Sequence, residues 1–431
     1  MTEQRSWFGQ PRGLTILFLT NMWEQFSYYG MRALLVYYMT KHLMLGQGTS
    51  SFVYGAYTAC AYFTPLFGGV IADRFLGKRR AIIVGASIMA AGHFMMTFDA
   101  LFYVALVTIA LGNGLFLPSL PSQIDQLYEP GDPRRAWAYN VYYVGVNVGG
   151  FLAPVLCGTI GELYGWHYGF GVAGFGMLAG LLIYVSGRRY LPPEPERSPP
   201  VVRSLTGGGL EYRTVLVLLA VAVSATVFRS AYEQVGNTVA LWTDTGVDRS
   251  AGHFLIPMTW FQSLNSLFVI VFTQPLLAIW RRQASAGHEQ RLARRMALGA
   301  LIVAGAYLLL TALTWQDGGA RADWIWLVAF FAIFTLGELF ILPTGLAVFA
   351  RLAPPAFAAT TVACWFLTIF SGSLSAGLVG ILWSRIDHTT FFLLLTVLAA
   401  LAALMLRLLD SPMQRAQRAE RQPDRLEAEL S

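Results

Sequence analysis

The chain has 431 residues, of which 55% are apolar and only 13% charged, with a mean hydropathy of +0.52. A soluble domain carries about 25% charged residues, so soluble enzyme, disordered, collagenous and disulfide-rich classes are excluded and an integral membrane protein remains. The net charge of +6 fits a basic face against anionic lipid without nucleic acid, and Cys60, Cys157 and Cys364, scattered through apolar stretches, read as packing residues rather than bridges or metal ligands.

The first apolar stretch, near 13–41, is too long for a signal-peptide core and has no small-residue cleavage site, so it is expected to stay as a first membrane helix. Its polar residues Asn21, Glu24, Gln25, Tyr28 and Arg32 recur at spacings of three and four, which puts them on one face, suited to lining a cavity. Stretches long enough to cross about 30 Å of hydrocarbon follow near 51–73, 80–98, 100–125, 136–161 and 167–187. Between the second and third, Gly69, Asp73, Arg74, Gly77, Lys78, Arg79 and Arg80 resemble the loop signature of the major facilitator superfamily, with glycines for a tight turn and charges that can latch neighbouring helix ends. His93 stands alone in the third stretch as a packing residue, and Asp125 ends the fourth at the interface. Pro192 to Gly209, rich in Pro and Gly, reads as a linker. Six more stretches follow, near 213–242, 254–280, 296–315, 324–350, 356–383 and 389–409, which makes twelve helices in all. Membrane β-strands would be far shorter and would alternate.

Lys and Arg concentrate in alternate loops and in both terminal segments, while the opposite set of loops holds only Lys41, Arg249, Arg321 and Arg385. The bias predicts both termini in the cytoplasm. The expected organisation is an all-α membrane protein: a six-helix bundle over 1–187, a cytoplasmic linker over 188–212, a second bundle over 213–410 and a tail over 411–431. The halves share a faint likeness, since Leu111-Gly112 precedes Pro118 as Leu336-Gly337 precedes Pro343. Such repeats are how many secondary transporters place a site between two rocking bundles.

A charge in mid-membrane costs about 2.5–3.5 kcal/mol on insertion scales and persists where it is paired or wet. The spans hold Glu24, Arg32, Arg229, Glu233 and Glu338, so three carboxylates face two arginines and one carboxylate is expected to be left over to bind a proton. Arg229 and Glu233, four apart, can touch within one helix.

The stretch Trp23-Glu24-Gln25-Phe26-Ser27-Tyr28-Tyr29-Gly30-Met31-Arg32 resembles the first-helix signature of the proton-dependent oligopeptide transporter family. The likeness continues in Tyr62-Phe63-Thr64-Pro65, Gly112-Asn113-Gly114-Leu115-Phe116, Tyr142-Tyr143-Val144-Gly145-Val146-Asn147-Val148-Gly149, Tyr232-Glu233-Gln234-Val235-Gly236, Gln262-Ser263-Leu264-Asn265, Gly337-Glu338-Leu339 and Trp365-Phe366. The resemblance implies a major facilitator fold and an inner-membrane symporter that imports di- and tripeptides with protons. It implies that Tyr28, Tyr29, Arg32, Tyr62, Asn147, Asn265 and Trp365 line the peptide cavity, that Glu338 meets the peptide amino terminus, and that Arg32 and Glu233 form an extracellular gate. Glu24, Arg32, Glu233 and Glu338 would couple protons, and Asp73, Arg74, Lys78 and Arg79 would form the conformational loop.

The departures are specific. A Glu-x-x-Glu-Arg pattern is replaced by Asn21, Met22, Trp23, Glu24 and Gln25, and the lysine of the fourth helix is Leu117. Arg229 stands where the family usually has an aromatic and is the expected substitute cation for a substrate carboxylate, paired with Glu233 while the gate is open and released when Arg32 takes Glu233 over. The alternative is a relative adapted to a solute without a free carboxylate, such as a cationic amine or capped peptide, with weak or no proton coupling; a transport-dead receptor is a third. The partners expected are the small-molecule substrate, protons and lipid, acting on a monomer without nucleic acid, metal or other cofactor. Enzyme chemistry is not expected, because the spans hold no Ser/His pair or Glu-x-x-His.

Overall fold

The computed structural model describes residues 9–129, 132, 134–193, 212–286, 291–316, 321–353 and 358–416. The first half is built from α1 (Arg12–Tyr37), α2 (Gln47–Ile71), α3 (Lys78–Met95), α4 (Phe102–Ser119), α5 (Arg134–Ala153), α6 (Thr159–Tyr164) and α7 (Trp166–Gly187). The second half comprises α8 (Tyr212–Tyr232), α9 (Thr238–Thr245), α10 (Trp260–Ser285), α11 (Leu292–Gln316), α12 (Trp324–Arg351), α13 (Ala358–Gly380) and α14 (His388–Leu408). π-helical turns extend α1 over Tyr38–His42 and α2 over Ala72–Leu76, and a third, Pro154–Gly158, joins α5 to α6. Among the described residues nine helices are long and apolar enough to cross a membrane. α1, α2 and α3 are helical where spans are expected but carry the polar stripe, several hydroxyl residues and the Lys78 to Arg80 run, respectively.

Two expected spans differ in detail. The stretch 254–280 is helical only from Trp260, because Ser250–Ala251 and Phe254–Leu255 form a small antiparallel hairpin turning at Gly252, whose φ of +64° suits glycine, and Pro257 follows. The stretch 213–242 is broken at Glu233–Gly236, a 3-10 turn between α8 and α9. Asp323 and Asp387 cap α12 and α14 by accepting from the amides of Ile325 and Thr390. The Thr390 amide holds the Asp387 carboxyl below its ordinary range. The expected linker 188–212 lies mostly outside the described residues, as does the tail beyond 416; 411–416 is helical.

The apolar core divides by halves. One cluster runs from Val217 to Ala416, a second lies wholly within Leu14 to Leu191, and a third, centred on α1, takes in Ala240 and Met258 from the other half. The faint repeat seen in sequence has a packing cause. A Cβ on Gly112 of α4 would lie 2.7 Å from the Gly85 carbonyl oxygen of α3, and one on Gly337 of α12 would lie 2.6 Å from that of Gly299 of α11. Both halves therefore bring one helix pair together backbone to backbone, which only glycine permits and which suits helices that gain little from apolar burial in lipid. Prolines inside α2 and α10 (Pro65, Pro275) and inside α4 and α12 (Pro118, Pro343) repeat the same symmetry.

The halves meet through α2 on α13 and α5 on α10. Polar links between them gather at the end away from the Asp73–Lys78 loop, here termed the rim. There Gln47 donates to the Gly380 carbonyl (2.9 Å), Ser51 to Asn237 (2.9 Å) and Tyr37 to the Ala240 carbonyl (2.7 Å), and Lys41 pairs with Asp244 (2.6 Å). Glu162 accepts from the amides of Met258 and Thr259 (3.0 and 2.9 Å). At the opposite end Asp73 and Arg74 are exposed, and Arg79 ties its loop to the carbonyls of Leu191 and Pro192 within the first half. The molecule is closed at the rim.

Candidate functional site

Below the rim a cavity is lined by Tyr29, Arg32, Pro154, Tyr232, Val235, Gln262, Asn265 and Phe334, from both halves. Its roof is an ion pair: Arg32 Nη2 on α1 lies 2.5 Å from Glu233 Oε2, and Arg32 Nε donates to the Tyr54 hydroxyl (2.6 Å). Glu233 stands at the break between α8 and α9, so the interruption turns the carboxylate toward the other half. Arg229, one turn earlier, places Nη1 3.6 Å from Glu233 Oε1 and its guanidinium 5.3 Å from the Tyr232 ring centre.

The expected exchange of partners on Glu233 is thus corrected: the carboxylate serves both arginines at once, one on each oxygen. Arg229 is the less satisfied of the two. It is buried, and its Nε and Nη1 have no hydrogen-bond partner among the described residues. A buried N–H left unpaired is costly, so this guanidinium is a ready donor.

A second correction follows from the same geometry. With both arginines on Glu233, two carboxylates rather than one are left without a cation in ion-pairing distance among the described residues. Glu338 on α12 accepts from Tyr232 (2.8 Å) and from Asn265 Nδ2 (2.6 Å), and the same Asn265 amide reaches Thr335 (3.1 Å). Glu24 on α1 is 1% exposed and accepts from Gln25 (2.7 Å). Neutral donors alone satisfy Glu338, a setting in which an arriving ammonium or a proton is the strongest partner available.

Tyr28, Tyr29 and Tyr57 pack as an aromatic group with centroids 5.4 and 6.5 Å apart, and the buried hydroxyls of Tyr28 and Tyr57 lack hydrogen-bond partners among the described residues. Tyr62 is in electrostatic reach of Glu233, Arg229 and Arg32. Asn147 turns its amide to the Tyr143 carbonyl of its own helix (2.9 Å). Trp365 belongs to the apolar core of the second half, its ring against Gly345 and 5.5 Å from Phe349. Sequence reasoning gave a site role to neither Tyr54 nor Tyr232, though Tyr54, Thr58 and Tyr62 lie at spacings of four and could have marked a polar face of α2.

The POT family model matches residues 79–206 and 209–394. The chain belongs to the POT family. Its similarity to POT proteins extends over nearly the whole length: it is 30% identical to the peptide transporter YePEPT of Yersinia enterocolitica over 95% of this chain and 96% of that protein. It is 28% identical to a di-/tripeptide transporter of Lactococcus lactis subsp. cremoris over 95% and 97%. A crystal structure of a peptide transporter POT in complex with sulfate superposes with a TM-score of 0.90 at 28% identity, covering 96% of this chain and 97% of that one. The expected major facilitator fold follows, and the POT assignment makes the chain a multi-pass membrane transporter.

Proposed function

We propose that the protein imports di- and tripeptides together with protons by alternating access, and that it is held here with the outer side closed. The observation that carries this reading is the division of charge beside the cavity: Glu338, held by the cavity residues Tyr232 and Asn265 as neutral donors, lies in electrostatic reach of Arg229, whose donors are incompletely used. A zwitterionic ligand supplies what both lack, an ammonium for the carboxylate and a carboxylate for the guanidinium. Tyr28, Tyr29, Arg32, Tyr62, Asn147 and Asn265 complete the binding surface, with Trp365 packed behind it. Glu24 and Glu338 carry the proton, and Arg32 with Glu233 and Tyr54 closes the outer gate. In this reading all twelve helices span the inner membrane, both termini are cytoplasmic, the rim faces outward, and the bundles 1–187 and 213–410 rock in a monomer about the linker 188–212. Asp73, Arg74, Lys78 and Arg79 hold the inner face, and Arg79 already anchors the start of the linker.

A second reading, transport of a solute lacking a free carboxylate, is favoured by Gln25 and Leu117, which remove two cations, while both remaining arginines lie on Glu233. Counterflow into proteoliposomes with a panel of free, amidated and acetylated dipeptides separates the two. Exchange of free dipeptides and loss of exchange on acetylation support the peptide reading; exchange of amidated ligands alone supports the second, and binding without exchange in any arm refutes transport.

A further inference from the structure

Three side chains outside the transport cavity converge at the rim of the first half. His42 closes the π-helical turn that ends α1, Asp99 opens the 3-10 turn Asp99–Leu101 that leads into α4, and His167 is the second residue of α7. Both imidazoles present Nε2 to the same carboxylate: His42 lies 3.1 Å from Asp99 Oδ2, and His167 lies 2.8 Å from Asp99 Oδ1. One ligand atom from each residue falls within 4.8 Å of the others.

Tetrahedral bonds of about 2.0–2.1 Å to a zinc-type ion place the ligand atoms roughly 3.3 Å apart, so a small closure of the trio accommodates an ion with little change of the backbone. The support around it resembles the outer shell of a metal site. Tyr38, itself fully buried, donates its hydroxyl to Asp99 Oδ1 (2.5 Å), stacks on the His42 ring (5.1 Å, 15°) and meets His167 edge-on (5.9 Å). Phe102 and Phe170 hold Tyr38 in turn, at 5.6 and 5.0 Å. Such contacts orient ligands in advance. About a third of each imidazole and half of the carboxylate side chain remain exposed, which leaves an entry path and an open fourth position.

From this geometry we infer that His42, Asp99 and His167 form a binding site for a divalent transition metal ion of the zinc class. Two imidazoles and a carboxylate select zinc, nickel or copper over magnesium or calcium, which prefer all-oxygen sites. The ion replaces both His–Asp hydrogen bonds, each neutral imidazole moving its proton from Nε2 to Nδ1 so that the Nε2 lone pair ligates. All three ligands belong to one half, so the ion ties the ends of α1, α4 and α7 together without crossing the gate.

The test is zinc titration of the full-length protein, purified without a polyhistidine tag, in competition with a chromophoric chelator. One zinc per chain is expected, and it is lost in His42→Ala/His167→Ala. Tyr38→Phe, which keeps every ligand, should weaken zinc binding about 10-fold or more, and zinc should raise the melting temperature of the wild type but not of the double variant. X-ray absorption at the zinc edge of the unaltered protein should count two imidazoles, which makes the proposal testable even if the variants fold poorly. Absence of saturable binding, unchanged zinc affinity in the double variant, or fewer than two imidazoles at the edge would each overturn it.

Discussion

Replacing Glu233 by Gln removes the carboxylate that Arg32 and Arg229 share. Its side chain is 3% exposed, against 15% for Arg32 and 6% for Arg229, so the pair is buried at its acidic end and slightly wet at its basic end. Removing one partner of a buried pair costs about 3–5 kcal/mol; the access of water to Arg32 argues for the lower limit, about 3 kcal/mol or roughly two powers of ten in an equilibrium. Only the Arg32 arm crosses between the halves, because Arg229 and Glu233 lie on the same one. The other rim links include neutral hydrogen bonds, such as those of Gln47 and Ser51, worth about 1 kcal/mol each. The expected result is therefore graded. Glu233→Gln and Arg32→Gln shift the population toward an open rim by about 100-fold, whereas Arg229→Gln, which leaves the crossing pair intact, shifts it little. Electron–electron double resonance between spin labels at the exposed Met44 and Arg385, in a background without the three native cysteines, reads the rim distance directly. Equal opening in Arg229→Gln and Arg32→Gln, or none in Glu233→Gln, would refute the assignment of Glu233 as the roof of the cavity.

Glu338→Gln should weaken binding of ligands with a free amino terminus by about 100-fold while leaving acetylated ligands nearly unaffected, measured by calorimetry; unchanged affinity for free dipeptides would remove Glu338 from the site. Arg229→Ala should weaken binding of free-carboxylate peptides far more than of their amides, and equal losses would leave Arg229 as no more than a partner of Glu233. Gly337→Ala forces a Cβ to within 2.6 Å of the Gly299 carbonyl, and such overpacking costs about 1–3 kcal/mol. Thermal unfolding in detergent should fall accordingly, whereas Gly305→Ala, where a Cβ meets nothing within 4 Å, should leave it unchanged.

The helical framework was legible because membrane spans are a property of local composition: long apolar runs need no tertiary information. The same locality explains why the helix pair made by Gly85 and Gly112 left a trace, since Gly112 precedes Pro118 at the same offset as Gly337 precedes Pro343. What depends on which helix faces which was not legible. Three carboxylates and two arginines could be listed, yet that both arginines converge on Glu233, freeing Glu24 and Glu338 together, follows only from the closure of α1 against the break after α8. Likewise Asp99 lies 57 and 68 residues from His42 and His167, and no spacing rule joins them. Tyr54 was hidden for a different reason: one of three tyrosines on α2, it looks like core until its Arg32 partner is seen.

Luminal pH during dipeptide uptake is the most direct measurement of the central claim. Proteoliposomes containing the protein and a trapped pH dye are given a dipeptide with no imposed gradient, so that any proton movement is driven by the peptide alone. Glu24 and Glu338, buried with no cation in ion-pairing distance among the described residues, are expected to carry protons inward with the substrate: the lumen should acidify with peptide, not with buffer, and Glu338→Gln should abolish the signal. Uptake of labelled dipeptide with a flat luminal pH, and with a rate indifferent to a protonophore under an imposed gradient, would contradict proton coupling and leave a facilitator.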